Sequence, residues 1–503
     1  MIRKTILVLN RYKALLVLLF IIFILRIPTL FDPHRYADEE IYLTLGQGVR
    51  KGLVLYRDIH DNKPPLLYLV AAAASDLFWF RFFLLVFHAF GVLCFWKLAE
   101  LVFEKKRLAV LISTSLFGLF STLPFLEGNI ANGENFMIVP ALLACCLFYR
   151  AVTDSYFAGR LIVFICIGLL FAVSFLFKIP IVFDFLSLLC FWCFFVLPPT
   201  NFRRLCQRIF SPQTIVMVLG FALPIALSIV YYSSFGAFEP YVRSALLQNV
   251  GYVSSWRSGG AGLLTNPLVW RGIIVLGISV ILFVFSSKLS LAVRFVSLWT
   301  IFSMYGALLS SRPYPHYLLE PLAPVSLLVM LVFTEKFLLR RLLPALIFIL
   351  ILGAYIENKF WYYASVPYYR NFVAYALGRK DWGAYLDFFG ARRNYLISSY
   401  IKQHTLPSER IFIWGTEPSI YVLTDRLPVG RYTVSYHIFD FRAFEETMIA
   451  LQASPPAYIV VIDDLDRFVQ LKSYLNNFYM LENVIDGASL YRRIPEVQAH
   501  AFQ

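Results

Sequence analysis

Long apolar runs recur along the whole chain and limit its fold more than any other feature. Most of the runs have about 17 to 24 residues, and about 20 residues in a helix cross the hydrocarbon core of a bilayer. The chain is 59% hydrophobic and only 15% charged, whereas soluble domains are about 45–50% apolar and about 25% charged. We therefore predict a polytopic α-helical membrane protein with about eleven transmembrane helices. The runs are 14–31, 81–103, 108–123, 134–150, 161–178, 181–197, 214–232, 269–286, 290–310, 318–334 and 342–356.

The loops between these runs alternate in charge, which predicts the orientation of the chain. Cytoplasmic loops of membrane proteins carry an excess of Lys and Arg. Here the basic residues gather in every second loop, so the net charge of +14 indicates topology and not a nucleic-acid surface. We expect a protein of the inner (plasma) membrane with a cytoplasmic N-terminus and an extracytoplasmic C-terminus. The basic loop residues are Arg3, Lys4, Arg11, Lys13, Lys105, Lys106, Arg107, Arg150, Arg160, Arg203, Arg204, Arg208, Lys288, Lys336, Arg340 and Arg341.

Three other segments need separate interpretation. Residues 66–79 are apolar but too short to cross, so they predict a re-entrant or interfacial helix. The basic N-terminus resembles a signal peptide but has no A-x-A cleavage site, which favours an uncleaved first span. Six of the seven cysteines lie in apolar runs and no CxxC stands in a polar loop. That placement predicts neither a disulfide framework nor a thiolate metal site.

The tail from residue 357 changes character. Short β-branched and aromatic runs alternate with segments whose apolar residues have helical spacing. This order predicts a small α/β domain at 357–503, after a transmembrane domain at 1–356. Asp440 and Asp464 are placed to cap the two helices. The predicted strands and helices are 410–415, 440–452, 457–464 and 465–478.

Ionisable residues concentrate in three loops on the outward side. The first loop, 32–80, contains "YADEEIYLTLGQGVRKGLVLYRDIHDNKPPLLY"; the second contains "PFLEGNIANGENF"; the third contains "SSRPYPHYLLEP". Ionisable groups at membrane depth are costly and usually mark function. Loop 233–268 also lies outside, and its glycines would permit a mobile lid.

These residue types suit the transfer of a sugar from a lipid phosphate to a hydroxyl. The acceptor loses a proton as it attacks, so a carboxylate base is needed within hydrogen-bond reach. Asp38 or Glu39 would supply that base. The leaving phosphate needs fixed cations, for which Lys63, Arg312 and Arg81 are candidates. His316, Glu134 and Asp61 would contact the substrate or share a proton.

Lys63 has a distinctive local sequence, because Pro64 and Pro65 follow it. Prolines fix φ and disfavour helix at the preceding residue. The lysine is thus predicted to stand on a stiff, extended segment close to the membrane, where a lipid phosphate would lie. A base on one face of the sugar and the leaving group on the other would invert the anomeric centre.

These motifs together resemble a known family. "DEEIY", "YRDIHDNKPPLLY", "RPYPHYLLEPLAP" and "IWGTEPSIYVLTDRLPVGRY" are similar to segments of bacterial GT-C glycosyltransferases. These include the protein O-mannosyltransferases of glycosyltransferase family 39, the aminoarabinose transferases and the rhizobial galacturonosyltransferases. The resemblance implies a GT-C fold, a polyprenyl-phosphate sugar donor and an acceptor in the cell envelope. It also implies a general base at Asp38 and a donor-phosphate contact at Lys63.

The resemblance leaves cofactors open. Some relatives have a Glu before Lys-Pro-Pro that helps to bind a metal, and this chain has Asn62 there. A divalent metal stays possible, with His316 and Glu134 as potential ligands. The sequence names neither the sugar nor the acceptor, which would be a lipid, a glycan or a protein.

Each candidate also has a structural interpretation. The acidic cluster would otherwise begin a solvated surface helix, and Glu40 is predicted to lie on another helical face and to be solvated. Lys63 would snorkel at the interface, His316 would belong to an aromatic belt, and the residues from Asp58 to Asp61 would fold their loop through Asx turns.

Two other functions remain open. A transporter or flippase of lipid-linked glycans would place ionisable groups near the bilayer midplane, where Lys178 and Asp184 are the exceptions to the outer-loop pattern. A non-catalytic homologue would bind the glycan without turning it over.

Overall fold

Helices occupy every apolar run that the sequence analysis identified. The computed structural model describes residues 2–248 and 266–495, with side chains from residue 12. Within these residues, seven helices are long and apolar enough to cross a membrane, and four more apolar helices have 10–17 residues. The predicted polytopic helical fold with a small C-terminal α/β region is therefore confirmed. Residues 249–265 of the predicted lid lie outside the described part.

The helices of the first half of the chain match the predicted runs to within a few residues, except for α1, which starts earlier. α3, at nine residues, has the length expected of an interfacial helix. In chain order the helices are α1 (Ile2–Arg26), α2 (Ala37–Arg50), α3 (Leu66–Ala74), α4 (Leu77–Phe103), α5 (Arg107–Phe120), α6 (Gly133–Thr153), α7 (Ser155–Ala158), α8 (Leu161–Phe177), α9 (Val182–Phe194), α10 (Phe202–Ile209), α11 (Pro212–Ser234) and α12 (Phe238–Tyr241).

The second half contains four further apolar helices and then the mixed region. The long helices are α13 (Pro267–Val284), α14 (Leu291–Ala307), α15 (Leu319–Thr334) and α16 (Leu338–Asn358). The remaining elements are α17 (Ser365–Ala376), α18 (Trp382–Phe389), α19 (Arg392–His404), β1 (Ile411–Trp414), α20 (Ser419–Thr424), α21 (Ser435–Asp440), α22 (Phe444–Ala453), β2 (Tyr458–Val461), α23 (Val469–Phe478), β3 (Tyr479–Ile485) and β4 (Ala488–Arg493).

Contacts divide the chain into two compact units. The first unit comprises residues 1–29, 82–231 and 246–365. The second comprises residues 30–81, 232–245 and 366–503. By contacts, the first outer loop therefore groups with the tail. The predicted boundary at residue 357 separates the transmembrane part from the extracytoplasmic part, whereas the two units are separated by contacts. That boundary stays a prediction.

The first unit is an assembly of packed helices. α6 packs on α8, α14 packs on both α9 and α15, and α15 packs on α16. Several of the outer helices expose large apolar side chains, such as Leu276 and Ile356. That exposure suits helices whose outer faces meet lipid.

The second unit is built on a four-stranded mixed sheet in the order β1-β2-β4-β3. β1 and β2 are parallel, while β4 is antiparallel to both β2 and β3. Alternate residues of β1 enter two different cores: Phe412 and Trp414 pack on one face, and Ile411 and Ile413 on the other. Helices cover both faces, which is why β1 is apolar throughout.

α2 contacts α3 and α20 in the same unit. A close approach of backbones fixes the first contact, since a Cβ on Gly46 would lie 2.6 Å from the backbone nitrogen of Ala72. Because only glycine avoids that clash, Gly46 holds the helix that carries Asp38 against the helix that follows Lys63.

The tail agrees with the sequence in its strands and differs at its helices. β1 and β2 fall within the predicted strands. The N-cap assigned to Asp440 is wrong, because that residue ends α21 and the next helix begins at Phe444. Asp464 does cap a short helical turn, since its side chain accepts from the N–H of Asp466 at 2.9 Å. The hairpin of β3 and β4 was missed.

Candidate active site

α2 presents Asp38 at its start. The residue lies in the first helical turn, where the helix dipole favours a negative charge. The hydroxyl of Tyr42, one turn later, donates to Asp38 Oδ2 at 3.0 Å. The Asp38 side chain keeps 31% of its surface exposed, so it is both oriented and accessible.

Lys63 is held by its backbone on both sides. Its carbonyl accepts from the Tyr56 hydroxyl at 2.9 Å, and its N–H donates to the Tyr68 hydroxyl at 3.0 Å. Pro64 and Pro65 then lead into α3. These bonds fix the backbone of Lys63, which stands in a bend and not in the extended segment that the sequence predicted.

The acidic end and the lysine end of the first loop meet in the second unit. Lys63 Nζ lies 3.6 Å from Asp38 Oδ2 and 3.8 Å from Asp61 Oδ2. It also lies 4.8 Å from the centre of the Tyr42 ring, within the range of a cation–π contact. We call Asp38, Tyr42, Asp61 and Lys63 the open cluster. Its separations exceed those of tight ion pairs, and Lys63 retains 16% exposure.

Asp61 connects the open cluster to a histidine that the sequence analysis missed. Asp61 is buried and accepts from the Tyr68 hydroxyl at 2.8 Å. Its other oxygen lies 3.6 Å from Nε2 of His437 in α21. Burial lowers the pKa of His437, with Asp61 acting to raise it and Lys63 to lower it. A residue so distant in sequence carried no local signal of this contact.

His60 packs beside His437, with ring centres 5.4 Å apart. Its N–H donates to the carbonyl of Arg431 at 2.8 Å, and its ring nitrogen Nδ1 lies 3.2 Å from the Ser244 hydroxyl. Burial, reinforced by His437, holds the pKa of His60 well below its usual value of 6.5. His60 thus supports the loop as a neutral ring.

Asp58 has a structural role in the same loop. Its carboxylate accepts from the N–H of Val54 at 2.8 Å and from the Arg57 guanidinium at 2.7 Å. The bond to Arg57 holds the pKa of Asp58 below its ordinary value. This agrees with the interpretation of Asp58 as a loop-folding residue.

Glu39, the alternative base, lies in a different environment from its neighbour Asp38. It is fully buried and receives two bonds from Arg81, at 2.9 and 2.5 Å. Arg81 also lies 3.2 Å from Asp32. We call Asp32, Glu39 and Arg81 the closed triad. Burial raises the pKa of Asp32, although Arg81 acts to lower it.

The closed triad changes the interpretation of two predicted site residues. Arg81 already meets two carboxylates and is 1% exposed, which argues against a donor-phosphate role. Glu39 is equally inaccessible, which favours Asp38 as the base. The prediction that Glu40 is solvated is wrong: Glu40 is buried, and its Oε2 lies 2.8 Å from His34 Nδ1.

The remaining predicted residues lie in the first unit, where they form a second ionisable group. Lys178 pairs with Glu134, and His316 pairs with Glu127. His316 Nε2 also lies 3.7 Å from Glu134. We call these four residues the closed network. All four side chains are at most 15% exposed.

Two neighbours complete the description of the first unit. Asp184, the second exception to the outer-loop pattern, accepts from the indole N–H of Trp299. Arg312 is partly buried, and its backbone N–H donates to the Ser310 hydroxyl at 3.3 Å. Donor binding by Arg312 stays a prediction, as do substrate contacts by His316, Glu134 and Asp61.

The described residues offer little for a divalent metal. Among them, no group of three or more His, Cys, Asp and Glu side chains is arranged to hold an ion. Asn62, at the position where the resemblance implies a Glu in some relatives, carries a neutral amide. The donor set therefore does not fit a metal, and the mechanism proposed below uses the groups of this chain alone.

Comparison with known proteins identifies the fold. No protein-family model and no curated protein matches the chain. Among solved structures, ArnT from Cupriavidus metallidurans bound to undecaprenyl phosphate is similar over 97% of this chain and 99% of its own, with 13% identity and a TM-score of 0.53. The apo state of the same protein is similar over 96% and 98%, with 12% identity and a TM-score of 0.50. The chain therefore has an ArnT-like fold.

Proposed function

We propose that this protein is an inverting glycosyltransferase that moves a sugar from a polyprenyl-phosphate donor to an acceptor hydroxyl in the cell envelope. The acceptor would be a lipid, a glycan or a protein on the extracytoplasmic side of the plasma membrane. The ArnT-like fold supports the reaction class, and the undecaprenyl phosphate bound to ArnT supports the donor class. Charge alternation in the loops supports the orientation.

The meeting of Asp38 and Lys63 carries the proposal. A carboxylate and an ammonium group stand 3.6 Å apart at the start of α2 and beside the Pro-Pro segment. Both retain solvent exposure. A transferase of this kind needs a base and a phosphate-binding cation held within one small space.

The reaction would proceed by single displacement. The acceptor oxygen forms a bond to the anomeric carbon while the bond from that carbon to the phosphate oxygen breaks. The acceptor proton passes to Asp38, and the leaving polyprenyl phosphate keeps the bonding electron pair. Lys63 stabilises the charge that develops on that phosphate. Attack opposite the leaving group inverts the anomeric centre.

The other members of the open cluster would position these two groups. Tyr42 donates to Asp38 and faces the Lys63 ammonium with its ring. Asp61 Oδ2 lies 3.8 Å from Lys63 Nζ and adds a second carboxylate beside the ammonium group. The long separations within the cluster would let a donor phosphate replace a carboxylate as the partner of Lys63.

One observation favours a second candidate, a transporter of lipid-linked glycans. Glu134 and Asp184 are buried in the apolar helices α6 and α9, and Glu320 is buried in α15. Buried ionisable groups within membrane helices often mark translocation paths. Purified protein in detergent separates the two functions, because transfer releases polyprenyl phosphate there and transport does not.

Donor binding is tested with undecaprenyl phosphate as the probe. We expect Lys63→Gln to weaken its equilibrium binding to the purified protein by about tenfold or more, since a charge-assisted bond to phosphate is lost. Lys51→Gln is the matched control, because Lys51 also pairs with a carboxylate, that of Asp425, at 2.9 Å. Equal binding by the wild type and Lys63→Gln would remove Lys63 from the donor site.

Catalysis is tested by release of polyprenyl phosphate from a panel of polyprenyl-phosphate hexoses and pentoses, with an envelope lipid extract as acceptor. Loss of a general base costs about 10²- to 10⁴-fold, so Asp38→Asn should reduce release by that factor. Asp58→Asn is the control in the same loop. Binding without release in the wild type would favour the non-catalytic homologue, and unchanged release by Asp38→Asn would refute the assigned base.

A further inference from the structure

A short basic helix stands between two apolar helices of the first unit. α10 has the sequence FRRLCQRI, with Arg203, Arg204 and Arg208 in eight residues. Phe202 and Phe210, at its two ends, are 79% and 71% exposed. The eight residues of the helix include no Asp or Glu. Cationic side chains beside exposed aromatic rings are typical of helices at a membrane surface.

Two of the three arginines line a cavity of about 680 Å³ whose walls are partly polar and partly apolar, called the polar cavity below because of its charged and amide groups. Arg204 donates to the Thr200 hydroxyl at 2.9 Å, and Arg208 lies 5.3 Å from the centre of the Trp192 ring. Gln207 and Gln213 add amide groups to the same wall. The cavity therefore presents two guanidinium groups and several neutral hydrogen-bonding groups, which together suit a phosphate diester.

An apolar cavity of about 620 Å³ adjoins the polar one. It is lined by α9, α10 and α11, and its walls include Cys190, Val218 and Leu219. The two cavities meet at a hydrogen-bonded pair, since Ser211 of the polar wall lies 3.0 Å from Thr214 of the apolar wall.

We propose that this double cavity is a binding site for an anionic phospholipid. The lipid phosphate would lie between Arg204 and Arg208, and an acyl chain would enter the apolar cavity. A basic pocket between membrane helices on the positively charged side is suited to anionic head groups. The site shares no residue with the open cluster and does not depend on the proposed glycosyl transfer.

Topology alone explains the presence of basic residues in this loop, so the test must separate a built site from a general positive surface. Arg203 provides the matched control. It belongs to the same helix and carries the same charge, but it does not line the polar cavity. A surface effect would depend equally on all three arginines, whereas a site would depend on Arg204 and Arg208.

The experiment uses the full-length protein in a nonionic detergent, titrated with phosphatidylglycerol whose acyl chains are brominated. Trp192 lines the polar cavity, so bound lipid should quench its fluorescence, and Trp192→Phe should lose that part of the signal. A basic residue at a membrane surface contributes about fivefold to the binding of anionic lipid. Arg204→Gln and Arg208→Gln should each raise the dissociation constant by about that factor, and Arg203→Gln by less than about twofold.

Two further arms test the acyl-chain cavity and the ligand class. Cys190→Phe fills the apolar cavity and should weaken phosphatidylglycerol binding. Brominated phosphatidylcholine, which has no net charge, should bind more weakly to the wild type. Equal losses in all three arginine variants, equal binding of phosphatidylcholine, or full competition by inorganic phosphate would overturn the proposal.

The lipid site and the donor site are distinguished by crossed variants. Lys63→Gln should leave phosphatidylglycerol quenching unchanged, and the variant with both Arg204→Gln and Arg208→Gln should bind undecaprenyl phosphate as the wild type does. Loss of both ligands in either variant would mean that the two sites are one. Failure of glycosyl transfer would leave the lipid result intact.

Discussion

The open cluster and the closed triad contain adjacent residues of α2, Asp38 and Glu39. They differ in the exposure of their side chains and in the distances between their charged groups. Asp38 and Lys63 stand 3.6 Å apart and are 31% and 16% exposed. Glu39 and Arg81 approach to 2.5 Å and are at most 1% exposed. Successive helical residues point about 100° apart, so a single step along α2 separates an accessible carboxylate from a buried one.

This difference teaches which charges are available to a substrate. A buried bidentate pair has no room for a third group, and its removal leaves an uncompensated charge. An exposed pair at a longer distance is weakly coupled, so a phosphate or a hydroxyl can replace either partner at little cost. The comparison therefore assigns stability to the closed triad and reactivity to the open cluster.

The largest effect on stability is expected from Arg81→Gln. This change leaves Asp32 and Glu39 buried without a cation, and breaking a buried pair costs about 3–5 kcal/mol. The free energy of unfolding in detergent micelles should fall by that amount. Arg50→Gln is the control, because Arg50 is an exposed arginine that contacts only backbone carbonyls. A loss below about 1 kcal/mol would mean that the triad does not hold the unit together.

A smaller loss is expected from Lys178→Gln in the closed network. The change removes the main cation beside Glu134, but His316 Nε2 stays 3.7 Å from the same carboxylate. We expect a loss of about 2–3 kcal/mol, the range for a bond to a buried charged group. The double variant with Glu134→Gln should recover part of it, because two neutral groups need no compensation. A double variant less stable than Lys178→Gln alone would contradict this coupling.

Acidification should destabilise the second unit through its two buried histidines. The pKa values of His60 and His437 lie below the ordinary 6.5 in the folded state, so the unfolded chain binds more protons as the pH falls through 6.5. Folding stability should therefore decrease from pH 7 to pH 6, by roughly 1 kcal/mol for the two residues together. Urea unfolding at both pH values measures the slope.

The controls for this pH effect are His60→Gln and His437→Gln. Each variant should reduce the dependence of folding stability on pH by the contribution of the histidine that it removes. Their combination should leave little slope between pH 7 and pH 6. An unchanged slope in the double variant would place the titrating group elsewhere in the chain.

The membrane fold was predictable because length and hydropathy determine it. A helix that crosses lipid must satisfy its own backbone hydrogen bonds and be apolar for about 20 residues. Each such helix is therefore visible in the sequence as a long apolar run. The elements of the tail were harder to predict, since short strands and helices are difficult to distinguish from turns in a sequence. The β3–β4 hairpin had an available signal in Asp486-Gly487, a dipeptide that favours tight hairpin turns. Aspartate is a favoured N-cap residue, but Asp440 lies at the C-terminal end of α21 and not at the start of a helix.

The candidate site was predictable only in part. The meeting of Asp38 and Lys63 followed from two motifs in one short loop. The choice between Asp38 and Glu39 required the helical face of each residue and the position of Arg81. His437 comes from a distant helix of the tail, and no spacing rule connects it to Asp61. Contacts between elements far apart in sequence are set by packing, which a single sequence does not display.

The smallest changes in stability are expected for variants of the open cluster, and they test its comparison with the closed triad most directly. Asp38→Asn and Lys63→Gln should each alter the free energy of unfolding by no more than about 1 kcal/mol, because a partly exposed pair contributes about 0–1 kcal/mol. Asn keeps an acceptor for the Tyr42 hydroxyl, and Gln keeps the backbone bonds of Lys63. Unfolding in detergent should show both variants near the wild type while glycosyl transfer falls by orders of magnitude. A loss of unfolding free energy as large as that of Arg81→Gln would make the open cluster a structural element. Groups that are needed to hold the fold together are not available to a substrate.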